Sequence, residues 1–442
     1  MRRQIRTAAV EPETSLPAWR PATRVAFRFC VLYLGLYALA TQIAGGVFLL
    51  PTTYVPALGT MWPMRDITTW LAEHLFGVTQ PLVYTGNSGD TIFHWVQTAW
   101  LLVVAIGVTA LWSALDRRRP EYVTLHKWFR LFIRFGLAAQ MFYYGMAKVI
   151  PAQFPPPSLV TLVEPIGYLS LSDLLWAFVG ASTPYQIFTG CAELAAGLLL
   201  IVPRTTTIGA LVAMADMIQV FVLNMTYDFG LKQISFHLIL LSLFLLAPQL
   251  RRLGQVLLDR AAGPSTQPPL FRTARANRIA LAAQVVFGLY LLGMFTTIST
   301  RLYYGEGGGG SPKSPLYGIW SVDELSIDGE RRLPEMNDYN QRWRRVIFDS
   351  PEVVVFQRTD DSFARYGVAI DTRGGTLALT KGSSRSWNAR FTFERPADDR
   401  LVLEGRMDGL AIVMRLRRVD LDTFRLLNSR FRWVRPPDPF AG

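Results

Sequence analysis

A chain of 442 residues that is 50% hydrophobic and only 18% charged, with a mean hydropathy of +0.23, is too apolar for an ordinary soluble domain. The formal charge of +12 would suit a nucleic-acid binder, but most basic residues flank apolar runs, as in Arg117-Arg118-Arg119 and Arg251-Arg252. That is the pattern of membrane anchoring, so the lipid bilayer replaces nucleic acid as the expected partner.

Hydrocarbon offers the backbone no hydrogen-bond partners, so a crossing segment must be a helix of roughly 20 apolar residues. Seven runs meet that length, near 25–48, 92–114, 128–149, 185–203, 205–226, 231–248 and 278–298. The first follows an N-terminus of 1–23 and is too long for a signal peptide, although Ala38-Leu39-Ala40 resembles a cleavage site. Residues 24–127 then hold two spans and a long outer loop, 51–90, with Trp62 and Trp70 as interfacial anchors and Asn87-Ser88-Gly89-Asp90 as a turn. Residues 128–250 hold four spans and a second long loop, 151–184, containing Gln153-Phe154-Pro155-Pro156-Pro157-Ser158. Loops of this length are more often covers than plain connections. A connection at 251–277, a seventh span within 278–300 and a Gly-rich linker at 301–315 lead to a last region, 316–442.

Lys and Arg collect in the N-terminus, in 116–134 (Arg117, Arg118, Arg119, Lys127, Arg130) and in 250–278, whereas 50–91 has only Arg65 and 151–184 has none. The positive-inside bias therefore predicts a cytoplasmic N-terminus and an extracytoplasmic C-terminal region in a multi-pass plasma (inner) membrane protein. Cys30 and Cys191 lie in apolar runs with no C-x-x-C spacing, so they read as buried, inert thiols.

Ionisable groups in hydrocarbon cost about 2.5–3.5 kcal/mol each on insertion scales, so they face the bundle interior and find partners. Glu193 and Asp216 fall mid-span, Lys148 closes the third span, Asp228 and Lys232 bracket the turn between the fifth and sixth, His237 lies deeper in the sixth, and His94 opens the second. Gln140, Tyr144 and Lys148 recur every four residues and so share a helix face, as do Gln233 and His237, while Asp216, Gln219 and Tyr227 are expected to line a face of the fifth span. Two readings stand. Lys148–Glu193 and Asp228–Lys232 pair and tie helices together, or Glu193, Lys148, Asp216 and His237 form a proton-handling site with Tyr144, Gln140, Asp228, Lys232 and His94 as ligand-binding residues. A bis-histidine haem through His94 and His237 has little support, and no metal-ligand, flavin, nucleotide or iron–sulfur motif is present.

The segment from about 130 to 248 resembles the DoxX family. Tyr144-Gly145-Met146-Ala147-Lys148 ends one helix, a Pro-rich loop follows, and Gly190-Cys191-Ala192-Glu193-Leu194-Ala195-Ala196-Gly197 lies in the next, before Arg204 and Gly209. Members of that family are four-helix membrane bundles with a Gly-x-x-Lys, a Glu-x-x-x-Gly and a following basic residue. The resemblance therefore implies roles for Gly145, Lys148, Glu193, Gly197 and Arg204. It covers about a quarter of the chain and implies a quinone-type lipophilic carrier, with electrons from a redox partner subunit or a small reductant. It carries the fold further than the function.

From Leu316 onward short alternating runs appear: Tyr317–Leu325, Trp343–Phe348, Glu352–Gln357, Phe363–Ile370, Thr376–Thr380, Asn388–Phe393, Arg400–Gly405, Leu410–Leu416, Thr423–Leu427 and Phe431–Val434. They are punctuated by Asp328-Gly329, Arg373-Gly374-Gly375 and Asp408-Gly409, which predicts an antiparallel meander closed as a barrel. Gly318-Ile319-Trp320 resembles the Gly-x-Trp of lipocalin-like barrels, where a basic residue near the last strand covers the indole; Arg430, Arg432 and Arg435 are the candidates. Phe356, Phe391, Phe393, Phe424, Phe431 and Trp433 read as barrel core. The fold class expected is thus a polytopic α-helical membrane protein with a C-terminal antiparallel β-barrel. Its expected function is a quinone-linked redox or proton-handling subunit. The alternative is a non-enzymatic membrane scaffold whose barrel binds a lipid, an envelope component or a protein. A transporter is disfavoured because the spans show no inverted repeat.

Overall fold

The computed structural model describes residues 19–48, 57–84, 89–263, 268–305, 307–333, 342–382, 384–428 and 433–434. The helices are α1 (Pro21–Ala40), α2 (Gln42–Val47), α3 (Met64–Phe76), α4 (Ile92–Leu115), α5 (Val123–Val149), α6 (Leu171–Gly180), α7 (Thr183–Ile201), α8 (Thr206–Thr226), α9 (Lys232–Leu246), α10 (Leu250–Leu257) and α11 (Ala274–Tyr304). Among the described residues, six segments are long and apolar enough to cross a membrane: α1, α4, α7, α8, α9 with α10, and α11. The helical region is therefore membrane-spanning in character.

Seven such segments were expected, and the third of them, 128–149, is helical but not apolar enough. As part of α5 it shares one helix with His126, Lys127, Arg130, Arg134 and Lys148. The supposed basic connection 116–134 accordingly ends near residue 122. Arg130 donates to the Leu245 carbonyl at 3.1 Å, and Arg134, 5% exposed, donates to Gln284 and to Thr206. These arginines point inward because a guanidinium buried beside carbonyl and amide oxygens costs less than one facing hydrocarbon.

The chain divides into two compact units, one of Met1–Met141, Ala195–Asn224 and Gly230–Leu291, the other of Phe142–Leu194, Met225–Phe229 and Leu292–Gly442. In the first, α1 packs along α4. Arg28, read in the sequence as an anchor, is buried on α1 and donates to the Tyr122 hydroxyl at 2.8 Å and the Asp116 carbonyl at 2.7 Å. On α3, Thr68 is buried and accepts from the Trp100 indole at 3.0 Å, while Trp62 and Trp70 are exposed, as interfacial anchors would be. Gly59 cannot be replaced here: a Cβ would lie 2.4 Å from the Ala40 carbonyl. Cys30 is half-buried and Cys191 is exposed, so the thiols are less buried than expected; both are free.

The second unit contains the barrel: β1 (Gly318–Ile327), β2 (Glu330–Arg332), β3 (Trp343–Phe348), β4 (Val353–Arg358), β5 (Phe363–Asp371), β6 (Thr376–Lys381), β7 (Ser384–Ala397), β8 (Arg400–Met407) and β9 (Leu410–Arg418). Neighbouring strands pair antiparallel, and β1 also pairs with β9, so eight strands close a ring while β2 forms a short hairpin on β1. Alternation fills the interior with Trp320, Val322, Phe348, Phe356, Leu403 and Met414 among others. A bulge between Val322 and Glu324 shifts the parity, so that Leu325 and Ile327 rather than Glu324 continue inward.

The first eight expected strands form. The ninth, 423–427, instead lies in a 3-10 turn (Leu421–Thr423) and a short helix α12 (Arg425–Asn428), because the ring is already closed by β1 and β9 and no free edge awaits another strand. Of the tenth, Phe431 and Arg432 lie outside the described residues, and Trp433 is 92% exposed, not core. Asn87 and Ser88 of the expected turn also lie outside them.

An outward row of Ile319, Ile347 and Val355, in register across β1, β3 and β4, is covered by Leu159 and Val160 of the second long loop. The Leu159 N–H donates to Asp349 at 3.0 Å, and Gln357 Nε2 donates to the Val163 carbonyl at 3.3 Å. Gly308 and Gly310 are packed against Tyr303 rather than loose: Gly310 N–H donates to the Tyr303 carbonyl at 3.0 Å, and a Cβ on either glycine would collide with Tyr303.

Candidate functional site

In the second unit, Lys148 Nζ lies 2.6 and 2.7 Å from the two carboxylate oxygens of Glu193. Glu193 is 1% exposed and Lys148 8%. The local sequence explains the approach. Gly145 precedes Lys148 by three residues on α5, and Gly190 precedes Glu193 by three on α7. A Cβ on Gly190 would stand 2.8 Å from the Gly145 carbonyl and 2.8 Å from Lys148 Cβ. Two bare glycines let the backbones meet, and one helical turn later on each helix the charged groups close on each other. The Tyr144 ring adds its face 5.6 Å from Lys148 Nζ. The pair can exist as two ions or, after proton transfer from ammonium to carboxylate, as two neutral groups, with no change in net charge.

In the first unit a second polar cluster forms. His237 Nδ1 lies 2.7 Å from the Gln233 carbonyl and Nε2 lies 2.8 Å from the Tyr33 hydroxyl. A carbonyl only accepts, so Nδ1 carries hydrogen, and in the neutral ring Nε2 accepts from Tyr33. Tyr37 stacks on the imidazole, centroids 3.4 Å apart at 6°. A haem iron would have to displace one of these bonds. Gln140 accepts from Gln42 Nε2 at 2.8 Å, both buried.

Asp90 organises the start of α9. Its carboxylate accepts from the N–H groups of Lys232 at 2.7 Å and Gln233 at 3.0 Å, and Lys232 Nζ lies 4.0 Å away. The sequence suggested Asp228 as the partner of Lys232; the structure also brings Asp90 to it, because a carboxylate at a helix N-terminus meets unpaired N–H groups as well as the ammonium. Asp228 occupies an exposed turn position at φ 50°. His94 is buried at the start of α4, with Nδ1 2.7 Å from the Thr91 hydroxyl.

Asp216 is half-buried in the middle of α8, but Gln219 is exposed and does not share a lined face with it. The polar residue that α8 does bury is Asn224, which donates to the Leu231 carbonyl at 3.1 Å and Ser235 Oγ at 3.2 Å. Tyr33, Tyr37, Gln42, Asp90, Arg134 and Asn224 escaped sequence reading. Polarity inside an apolar run was their only signal, and for the tyrosines even that is weak.

In the barrel, Trp320 Nε1 donates to the Leu316 carbonyl at 2.9 Å. Arg430, Arg432 and Arg435 lie outside the described residues. Arg395 stands 5.9 Å over the indole, and Arg418 on β9 faces Trp320 in register.

Comparison with known proteins places the chain in a family. The chain is 33% identical over 118 residues to the uncharacterized protein YwoB of Bacillus subtilis (strain 168), a match covering 27% of this chain and 72% of that protein. The chain belongs to the family of YwoB. No family model matches, and no solved structure matches.

Proposed function

We propose that this YwoB relative is a DoxX-like protein of the plasma membrane, with its N-terminus cytoplasmic and its barrel outside. In this reading it handles protons for a lipophilic redox carrier of quinone type, with electrons supplied by a partner subunit or a small reductant. The observation that carries the reading is the buried Lys148–Glu193 pair on glycine-close helices, at the positions that the family resemblance singles out. A desolvated ion pair is costly compared with a packed apolar pair, so its presence favours use over mere adhesion. The lysine and the carboxylate would be the proton donor and acceptor. Tyr144, beside the pair, is a secondary member of the proposed site; His237, Asp216, Gln140, Asp228, Lys232 and His94 are candidates to be tested separately.

The test separates use from adhesion by swapping the charges. K148E/E193K keeps an ion pair and a folded protein but exchanges donor and acceptor. Loss of quinone-dependent proton uptake in proteoliposomes, with an unchanged unfolding midpoint, supports the reading. Full uptake in the swapped variant would reduce the pair to a helix tie. The scaffold alternative draws on the barrel, and the side-chain-filled interior directs any binding there to the outer surface.

A further inference from the structure

Gln233 is the second residue of α9 and only 5% exposed. Its N–H donates to Asp90 Oδ1 at 3.0 Å, its carbonyl lies 2.7 Å from His237 Nδ1, and its side-chain Oε1 accepts from Thr98 Oγ1 at 2.7 Å. The side-chain amide nitrogen alone has no hydrogen-bond partner. A buried donor left unmade costs stability, and structures keep few of them without a use. Turning the amide over would not help, since it would leave the oxygen in the same position instead.

The surroundings define what fits. The neighbouring His237 is hydrogen-bonded through both ring nitrogens, to Tyr33 and to the Gln233 carbonyl, and the Lys232 ammonium lies 4.0 Å from Asp90. Neither ring nitrogen is left over for a visitor, and that ammonium already faces a carboxylate. The helices concerned, α1, α4 and α9, are all among the apolar candidate spans, so a visitor must be lipid-soluble. Two amide hydrogens call for an oxygen acceptor.

We propose that Gln233 Nε2 is the docking donor for the carbonyl oxygen of a neutral lipophilic molecule, with Thr98 fixing the amide and Tyr33–His237 one helical turn away. The proposal rests on the lipophilic-carrier reading above and gives the first unit a carbonyl-binding residue of its own. Both a quinone and an ester-linked lipid carry such an oxygen.

The experiment uses the full chain in nanodiscs. Binding of a short-chain benzoquinone is followed by quenching of intrinsic fluorescence, and a short-chain diacylglycerol is the second probe, by competition. The variant is T98V/Q233M, which removes both partners of the Thr98–Gln233 bond and the orphan donor together. The expected result is an unfolding midpoint equal to or above that of the wild type without probe, and at least tenfold weaker binding of whichever probe the wild type binds. A lowered midpoint would mean that the amide is already satisfied, for instance by an ordered water, and overturns the proposal. Unchanged binding of both probes, or wild-type binding of neither, overturns it equally. Binding of the diacylglycerol alone keeps the carbonyl site and removes the quinone. If K148E/E193K binds the benzoquinone normally but retains full proton uptake, the proton-handling reading fails while the carbonyl site stands.

Discussion

The barrel and the helices solve the same problem in opposite directions. In the barrel the charges stand outside: Asp323 meets Arg400 and Arg417, each at 3.1 Å, with its own side chain 30% exposed, around a core of Trp, Phe and aliphatic residues. In the helices the paired charge is inside, as in Lys148–Glu193, and large apolar residues such as Val103, Ile106 and Leu111 are exposed. Water tolerates a lone carboxylate and hydrocarbon does not, so the same ion-pair chemistry carries very different weight in the two places.

The sharpest way to break that comparison is to remove one partner in each setting. E193Q or K148M alone strands a buried charge or polar group and should cost about 3–5 kcal/mol of stability. D323A in the barrel should cost less than about 1 kcal/mol. Unfolding midpoints of the purified chain check both. The double variant K148M/E193L should recover most of the loss, and equal costs in the two settings would erase the distinction.

A smaller effect is expected at the row Ile319, Ile347 and Val355 beneath Leu159 and Val160. L159D places a charge against apolar side chains and forfeits about 1.5–3 kcal/mol of burial. Hydrogen exchange should then accelerate across 158–163 and leave the barrel strands protected.

Next in size is G190A. A Cβ placed 2.8 Å from the Gly145 carbonyl must push α5 and α7 apart, at about 1–3 kcal/mol. The pair should loosen with it, so Lys148 should become reactive toward an amine reagent that spares the wild type. Unchanged lysine reactivity would separate the glycines from the charge pair.

These effects also mark what the sequence could tell. The barrel was legible because alternation of period two survives in strands such as β6, β8 and β9, and Asp328-Gly329 and Asp408-Gly409 sit at turns with positive φ. It misled only after β9, where an alternating run had no free edge to join. In the helices, Lys148 and Glu193 could be paired because charge within apolar runs is rare. The Gly-x-x-Lys and Gly-x-x-Glu spacings are visible in the sequence, but their meaning, two backbones in contact, belongs to tertiary structure. Asp90 reaching the start of α9, and Tyr33 reaching His237, join residues 142 and 204 positions apart, and no local pattern encodes such pairings. Arg130 misled in the other direction. Its charge marks a loop only if the helix is assumed to be apolar all round, and α5 instead turns it toward the Leu245 carbonyl.

The smallest predicted effect contrasts two carboxylates within the second unit. Burial pushes Asp349 above the usual carboxylate range, opposed in part by the Leu159 N–H and by Lys313. The unfolded chain therefore releases that proton at lower pH than the folded one. Between the two pKa values the folded state binds more protons, so docking of 158–163 should weaken as pH rises through that window and level off above it. Asp360 behaves oppositely. The hydroxyl and N–H of Ser362 hold its carboxyl below the usual range, so its contribution is complete above the ordinary carboxylate pKa and is lost as pH falls through the depressed one. Protection of 158–163 from hydrogen exchange, corrected for the intrinsic rate, should lose its downward slope with pH in D349N and keep it in D360N. A wild-type slope in D349N would assign the pH response to another group.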